Sequence, residues 1–257
     1  MLKVYQSVFN NEHDTKLKYI KNNLPKPPFR IILVGSTGSG KSNLIKNICF
    51  NREFGYTRYF DEFYIFSGSL DDVYEYKALA TNKHKYAVYQ NIDFDQLEKL
   101  IIEMEQSQLI SVHKKRNILF VFDDKAFDNI SHRNKTNIID TLFARGRHMR
   151  ISILISSQKY MQLNQNMRAL NLSQLFIFKG TNTIDLDNIA KEHTGEIDIA
   201  DFRKAITDNL NEQYSFIVID NKGKDKLLDK NFKPILIKQE MPSDEESSVM
   251  EKKTKKT

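Results

Sequence analysis

A single cysteine, Cys49, stands among 257 residues, so no intrachain disulfide can form. A reducing compartment is therefore expected. Cys49 falls on an apolar helical face, which suits a core thiol rather than a nucleophile. No apolar run approaches the roughly 18 residues of a membrane span. The opening MLKVYQSVFNNEHD lacks the pattern of a signal peptide. The sequons at Asn134 and Asn171 then read as chance occurrences. No internal repeat is visible, which sets aside solenoids and arrays. Acidic residues are outnumbered 39 to 33 by Lys and Arg, for a net charge of +6 and a pI near 9.1. That bias permits contact with nucleic acid or another anion, but a Lys-rich solubilising surface would give the same number. A hydrophobic content of 40% is slightly low yet enough for a core. The length suits one medium domain with embellishments.

What the chain does contain is Gly35-Ser36-Thr37-Gly38-Ser39-Gly40-Lys41-Ser42, the pattern G-x-x-x-x-G-K-S of a phosphate-binding loop. The apolar, β-branched run 29–34 precedes it, and a helix over 41–51 is expected after it, with Leu44, Ile45, Ile48 and Cys49 on one face. Gly35, Gly38 and Gly40 free the backbone to converge its N–H groups on phosphate oxygens, and the helix starting near Lys41 adds its positive end. The binding segment is therefore Gly35, Ser36, Thr37, Gly38, Ser39, Gly40, Lys41, Ser42 and Asn43. Lys41 is expected to reach the β- and γ-phosphates, and the Ser42 hydroxyl to ligate Mg²⁺, a cation that demands hard oxygen ligands.

Around the loop the chain alternates. Strands are expected at 62–66, 86–89, 117–122, 151–155, 174–178 and 214–219. Helices are expected at 94–106, 134–145, 160–170, 183–192 and 198–209. That alternation predicts an α/β domain with a mostly parallel sheet covered by helices on both faces. Residues 1–28, ending in Pro25-Lys26-Pro27-Pro28, read as an N-terminal extension with a stiff connector, packed outside the sheet or on a neighbour. The domain proper spans 29–238. From 239 the sequence turns charged (PSDEESS, then KKTKK) and reads as a disordered tail, 239–257.

Ile118-Leu119-Phe120-Val121-Phe122-Asp123-Asp124 is an apolar strand ending in two acids, the Walker B pattern. Asp123 is expected to hold Mg²⁺ through water, opposite Ser42, and Asp124 to orient or deprotonate the attacking water. Alone, such a run is an ordinary strand before an acidic turn; downstream of a phosphate loop it completes a hydrolytic site. The strand at 151–155 leads to Ser156-Ser157-Gln158, and Gln158 there would position water or report phosphate loss. A strand-capping role is the plain alternative for Gln158. Just before that strand lies Arg145-Gly146-Arg147-His148. One arginine could reach into a neighbouring subunit's site as an arginine finger, the cluster could contact DNA phosphates, or it could be a solvated basic loop.

The order of these motifs resembles the genome-packaging ATPases of large nucleocytoplasmic DNA viruses, virophages and related self-replicating transposons, the poxvirus-type branch of the FtsK/HerA superfamily. The likeness rests on GSTGSGKS at 35–42, DEFYIFSGS at 61–69, ILFVFDD at 118–124 and LFARGRHMRISILISSQKY at 142–160, extended by NQNMRAL at 164–170. It covers roughly 29–180. Asp124 stands where wider relatives usually carry Glu, and the same role with a shorter reach is expected of it. The resemblance implies a P-loop NTPase of the RecA/FtsK-HerA type that uses ATP and Mg²⁺. It further implies a homo-oligomeric ring of five or six subunits with nucleotide at the interfaces, and double-stranded DNA as the translocated substrate. A capsid protein as partner follows too, as does residence in the host cytoplasm at the viral factory or with the virion. Arg147 or Arg145 would be the trans-acting finger; Arg147 is preferred as nearer the strand bearing Gln158.

Competing classes fit less well. A small-molecule kinase would usually bring an Arg-rich lid and lack the paired Asp123-Asp124. A GTPase needs Asn/Thr-Lys-x-Asp, and the nearest match, Asn221-Lys222-Gly223-Lys224, has Lys where Asp must stand. A transporter-type ATPase needs Leu-Ser-Gly-Gly-Gln, which is absent. A HerA-like repair translocase or helicase shares the site and differs only in partner. A nucleotide-gated scaffold that hydrolyses poorly is opposed by the intact Ser42, Asp123 and Asp124.

Overall fold

The computed structural model describes residues 16–21, 24–82, 85–110, 116–123, 136–170, 172–223 and 225–237. Eight strands form one sheet: β1 (Arg30–Val34), β2 (Glu62–Ser67), β3 (Tyr86–Gln90), β4 (Ile118–Asp123), β5 (Ile151–Ser157), β6 (Gln174–Phe178), β7 (Phe216–Asp220) and β8 (Leu227–Leu228). Their spatial order is β3-β2-β4-β5-β1-β6-β7-β8. The first six strands run parallel, and β7 and β8 extend the β6 edge antiparallel. The helices are α1 (Lys41–Phe50), α2 (Tyr56–Tyr59), α3 (Leu70–Leu79), α4 (Phe94–Ile110), α5 (Thr136–Arg145), α6 (Thr183–His193) and α7 (Ile199–Asp208). None of the described helices is long and apolar enough to cross a membrane.

The strands are apolar on both sides because both faces are covered. In β1, Ile32 and Val34 join one core and Ile31 and Leu33 the other. In β4, Ile118, Phe120 and Phe122 point one way and Leu119 and Val121 the other. The first core takes α4 (Leu97, Met104), α5 (Ile139, Leu142, Phe143), α6 (Leu186, Ile189) and α7 (Phe202, Ile206). The second takes α1 (Ile45, Ile48, Cys49), Tyr76 of α3, and Ile20 and Leu24 from the segment before β1. The Tyr56 hydroxyl donates to the Pro25 carbonyl at 2.7 Å, so the described part of the N-terminal extension packs outside the sheet. Cys49 is fully buried, and burial pushes its thiol pKa up, which makes it inert.

Three expectations change. Residues 160–170 do not form one α-helix: a 3₁₀ turn, Tyr160–Gln162, precedes a π-type turn, Asn166–Leu170. Asp185 at the start of α6 accepts the backbone N–H of Tyr160 at 3.0 Å and of Met161 at 3.3 Å, drawing this stretch against α6. The late strand begins at Phe216 rather than at 214, because Tyr214 has φ 61°, outside any extended conformation. Helix α3 was not anticipated. Only Val73 and Tyr76 of it are buried, too few to make a periodic signal. The charged tail and Asp124 lie outside the described residues.

Candidate active site

The phosphate loop joins β1 to α1 at the carboxyl end of the sheet, where ligands of parallel α/β folds collect. Gly40 caps α1 with φ 102°, a conformation L side chains rarely adopt, and Gly38 has φ 76°. No side chain caps α1, and its first turn holds no acid, so its N-terminal N–H groups face the loop's interior uncompensated. The Gly35 N–H donates to the Ser157 carbonyl at 3.2 Å, pinning the loop to the tip of β5. Lys41 is buried and folds its Nζ back onto the carbonyls of Gly35 (2.7 Å) and Ser36 (2.9 Å). The Ser39 hydroxyl is buried without a hydrogen-bond partner, while Ser36, Thr37, Gly38 and Asn43 are exposed. An open helix N-terminus, a looped-back ammonium and an orphaned hydroxyl are gathered here, the kinds of donor a polyphosphate requires.

Asp123 ends β4, two strands from β1, with β5 between them. Its carboxylate is fully buried. Oδ1 accepts from the Ser156 hydroxyl and Oδ2 from the Tyr76 hydroxyl, each at 2.6 Å. The Ser42 hydroxyl also hydrogen-bonds to it. Burial raises the Asp123 pKa, and these three hydroxyls pull it back down. The loop serine and the Walker B aspartate thus meet across β5. Their oxygens are a donor set suited to a hard divalent cation. Tyr76 belongs to no motif, and Ser156, though inside the block 142–160, takes no role in the sequence reading, which turns there on Gln158 and the arginines. Tyr76 is delivered by α3, which Lys46 of α1 clamps through Asp72 (3.1 Å) and Glu75.

Gln158 directly follows β5, half-buried, between the loop and Asp123. The arginines are elsewhere. Arg145 ends α5 and Arg147 lies in the turn before β5, at the opposite end of that strand from Gln158. Seven strand residues separate them, roughly 23 Å. Arg147 is the nearer of the two to β5, but it stands at the end of that strand away from Gln158, and neither arginine can reach its own chain's phosphate loop. The turn is tight: Ile151 N–H donates to the Gly146 carbonyl at 2.8 Å, and a Cβ on Gly146 would sit 2.6 Å from the Leu142 carbonyl oxygen. Beneath it lies Arg30, fully buried, its Nε donating to the Phe143 carbonyl at 2.6 Å. Burial and then Arg147 push its pKa down to about 9. Burial, Arg147 and Arg30 push that of nearby Lys222 down to about 8. The described part of the motif rejected as a guanine reader, 221–223, belongs to this basic end of the sheet, away from the phosphate loop.

A model of the family described as "Poxvirus A32 protein" matches residues 16–231. Protein 088R of Invertebrate iridescent virus 3 is 22% identical over 192 residues, covering 75% of this chain and 69% of the relative. Protein 075L of Invertebrate iridescent virus 6 is 24% identical over 198 residues, covering 76% and 72%. Among solved structures, B204, the DNA-packaging ATPase of Sulfolobus Turreted Icosahedral Virus, superposes with a TM-score of 0.58 at 20% identity. It spans 82% of this chain and the whole of that one. The genome-packaging NTPase B204 of Sulfolobus turreted icosahedral virus 2, in complex with ATP-gammaS, gives 0.55 at 21% identity, again over 82% and 100%. At these identities the structural likeness establishes a shared fold.

Proposed function

Because the chain belongs to the Poxvirus A32 protein family, we propose that it is an ATP-hydrolysing translocase of double-stranded DNA that packages a viral genome into preformed capsids. The observation that carries the hydrolytic part is the meeting of Ser42 with the buried Asp123 beside a loop shaped for polyphosphate. The DNA-packaging description of B204, which shares this fold, supports the substrate.

In this reading Lys41 leaves the Gly35 and Ser36 carbonyls for the β- and γ-phosphates of ATP. Ser42, and Asp123 through water, would hold Mg²⁺, which would supply positive charge against the phosphates. Asp124, next in sequence to Asp123, takes the proton of the attacking water. Gln158 orients that water from the tip of β5. Arg147, or Arg145, stabilises the transition state in the neighbouring subunit. Its place at the far end of β5 supports action in trans, since it cannot serve its own loop. In this reading the motor is a ring of five or six copies, with a capsid protein as docking partner, as the family resemblance implies. The work would be done in the host cytoplasm at the viral factory, with the motor lodged in the virion for a time or for good. The domain spans 29–238, with 1–28 as an appended segment and 239–257 as a charged tail.

Lys41→Ala tests the loop. It should abolish ATP hydrolysis, and wild-type turnover in that variant would sink the assignment. Asp124→Asn should keep ATP binding and lose turnover; loss of binding would make it a metal or folding residue instead.

A further inference from the structure

Beside the phosphate loop lies an open cavity of about 570 Å³ that the catalytic account leaves unused. Its walls include Asn43 of α1 and the aromatic residues Phe178, Tyr214, Phe216 and Phe232. It begins at Gly40, where the loop becomes α1, and runs along the helix past Asn43 and Asn47. A moiety carried beyond the phosphates would enter it. Three of the rings are fixed structure. Phe178 and Phe216 pair at 5.2 Å between centroids, and Phe216 and Phe232 at 6.1 Å.

Tyr214 is different. It takes no part in those pairs, it is 59% exposed, and its φ of 61° is a left-handed conformation costly for an aromatic residue. The surrounding turn enforces that conformation. Ser215 donates twice to the Glu212 carbonyl, from its N–H at 3.2 Å and its hydroxyl at 2.7 Å. The Lys179 N–H donates to the Ser215 carbonyl at 3.0 Å, Lys179 Nζ holds the Asn211 carbonyl, and Lys230 pairs with Glu212. The outcome is an aromatic face beside the helix N-terminus. The ring's Cδ1 would stand 3.5 Å from a Cβ built on Gly40.

We propose that this cavity is the nucleobase subsite, and that the base of the bound nucleotide stacks on Tyr214. A flat π-face presented beside the phosphate cradle by a fixed backbone turn is what a base requires, and stacking is worth about tenfold or more in affinity. Strain held in an exposed aromatic residue is retained where the ring has a task, and covering the ring with a base removes the solvent exposure. The inference rests on the reading of 35–42 as a nucleotide site, and its test separates the two.

Calorimetry with ATP and with inorganic tripolyphosphate, both in Mg²⁺, is run on the full chain and its variants. Wild type should bind ATP more tightly than tripolyphosphate. Tyr214→Phe should match wild type within about twofold. Tyr214→Ala and Tyr214→Gly should each weaken ATP about tenfold or more and leave tripolyphosphate unchanged. Tyr214→Gly relieves the left-handed strain, so its Tm should equal or exceed that of wild type, which keeps the test open if the Ala variant folds poorly. ATP binding by Tyr214→Gly at wild-type strength overturns the inference. So does a parallel loss of tripolyphosphate, since the ring would then be bracing the loop rather than the base. A failed phosphate loop reads out separately: Lys41→Ala would bind both compounds as wild type does.

Discussion

The Tyr76 hydroxyl lies 2.6 Å from Asp123 Oδ2 and, with Ser156 on Oδ1, encloses a carboxylate that has no exposure to solvent. The partners come from opposite directions, Tyr76 from a helix and Ser156 from the neighbouring strand. Together they fix which way the carboxylate points before any cation arrives, the kind of support that tunes a metal ligand. Tyr76→Phe removes one bond and adds no bulk. It should cost about 1 kcal/mol in stability while raising the Mg²⁺ concentration for half-maximal turnover several-fold. Denaturant melts alongside a Mg²⁺ titration of ATPase activity separate the two effects. An unchanged Mg²⁺ dependence would mean that Tyr76 only packs.

His193 offers a pH test of the packing behind Gln158. It is 4% exposed, its Nε2 is 2.9 Å from the Tyr160 hydroxyl, and Tyr160 follows Gln158 by two residues. Burial, then Lys226, pushes its pKa down to about 4. The folded state thus binds the proton more weakly than the unfolded chain, where the pKa is near 6.5. The contribution is fully present above about pH 6.5 and is lost as pH falls toward 4, on the order of 2–3 kcal/mol. Chemical denaturation across that window should show the loss, and His193→Gln should flatten it. A His193→Gln profile as steep as wild type would assign the acid sensitivity elsewhere.

Much of this was legible in the sequence because the signals were local. The loop's glycines, the apolar runs of β4 and β5 and the order of motifs anticipated a loop after β1 and an aspartate at the end of β4. Contacts between distant segments were not legible. Tyr76 gives no hint in LDDVYEYKAL that it will meet Asp123, 47 residues away, because only tertiary packing of α3 beside β2 and β3 brings its ring to the end of β4. The left-handed Tyr214 and the π-type turn at Asn166–Leu170 are imposed by neighbouring hydrogen bonds against local propensity. Arg147 precedes β5 and Gln158 follows it, and a residue before a strand and one after it lie at opposite ends, however short the intervening sequence.

That separation bears on Arg147. If it acts on a neighbour, Arg147→Ala subunits retain a sound phosphate loop, and Lys41→Ala subunits retain a sound arginine. Mixing the two inactive variants should restore part of the turnover, because some interfaces then pair an intact loop with an intact finger. Light scattering confirms that assembly is preserved. Absence of recovery in mixed assemblies of normal size would count against a role in trans.

ATP turnover with and without long double-stranded DNA, measured together with molar mass by light scattering, tests the motor most directly. The account predicts a multi-subunit species whose turnover rises with DNA, and whose DNA affinity falls as salt rises because phosphate contacts release counterions. Turnover by a monomer that ignores DNA and responds to a small phosphate acceptor would contradict it.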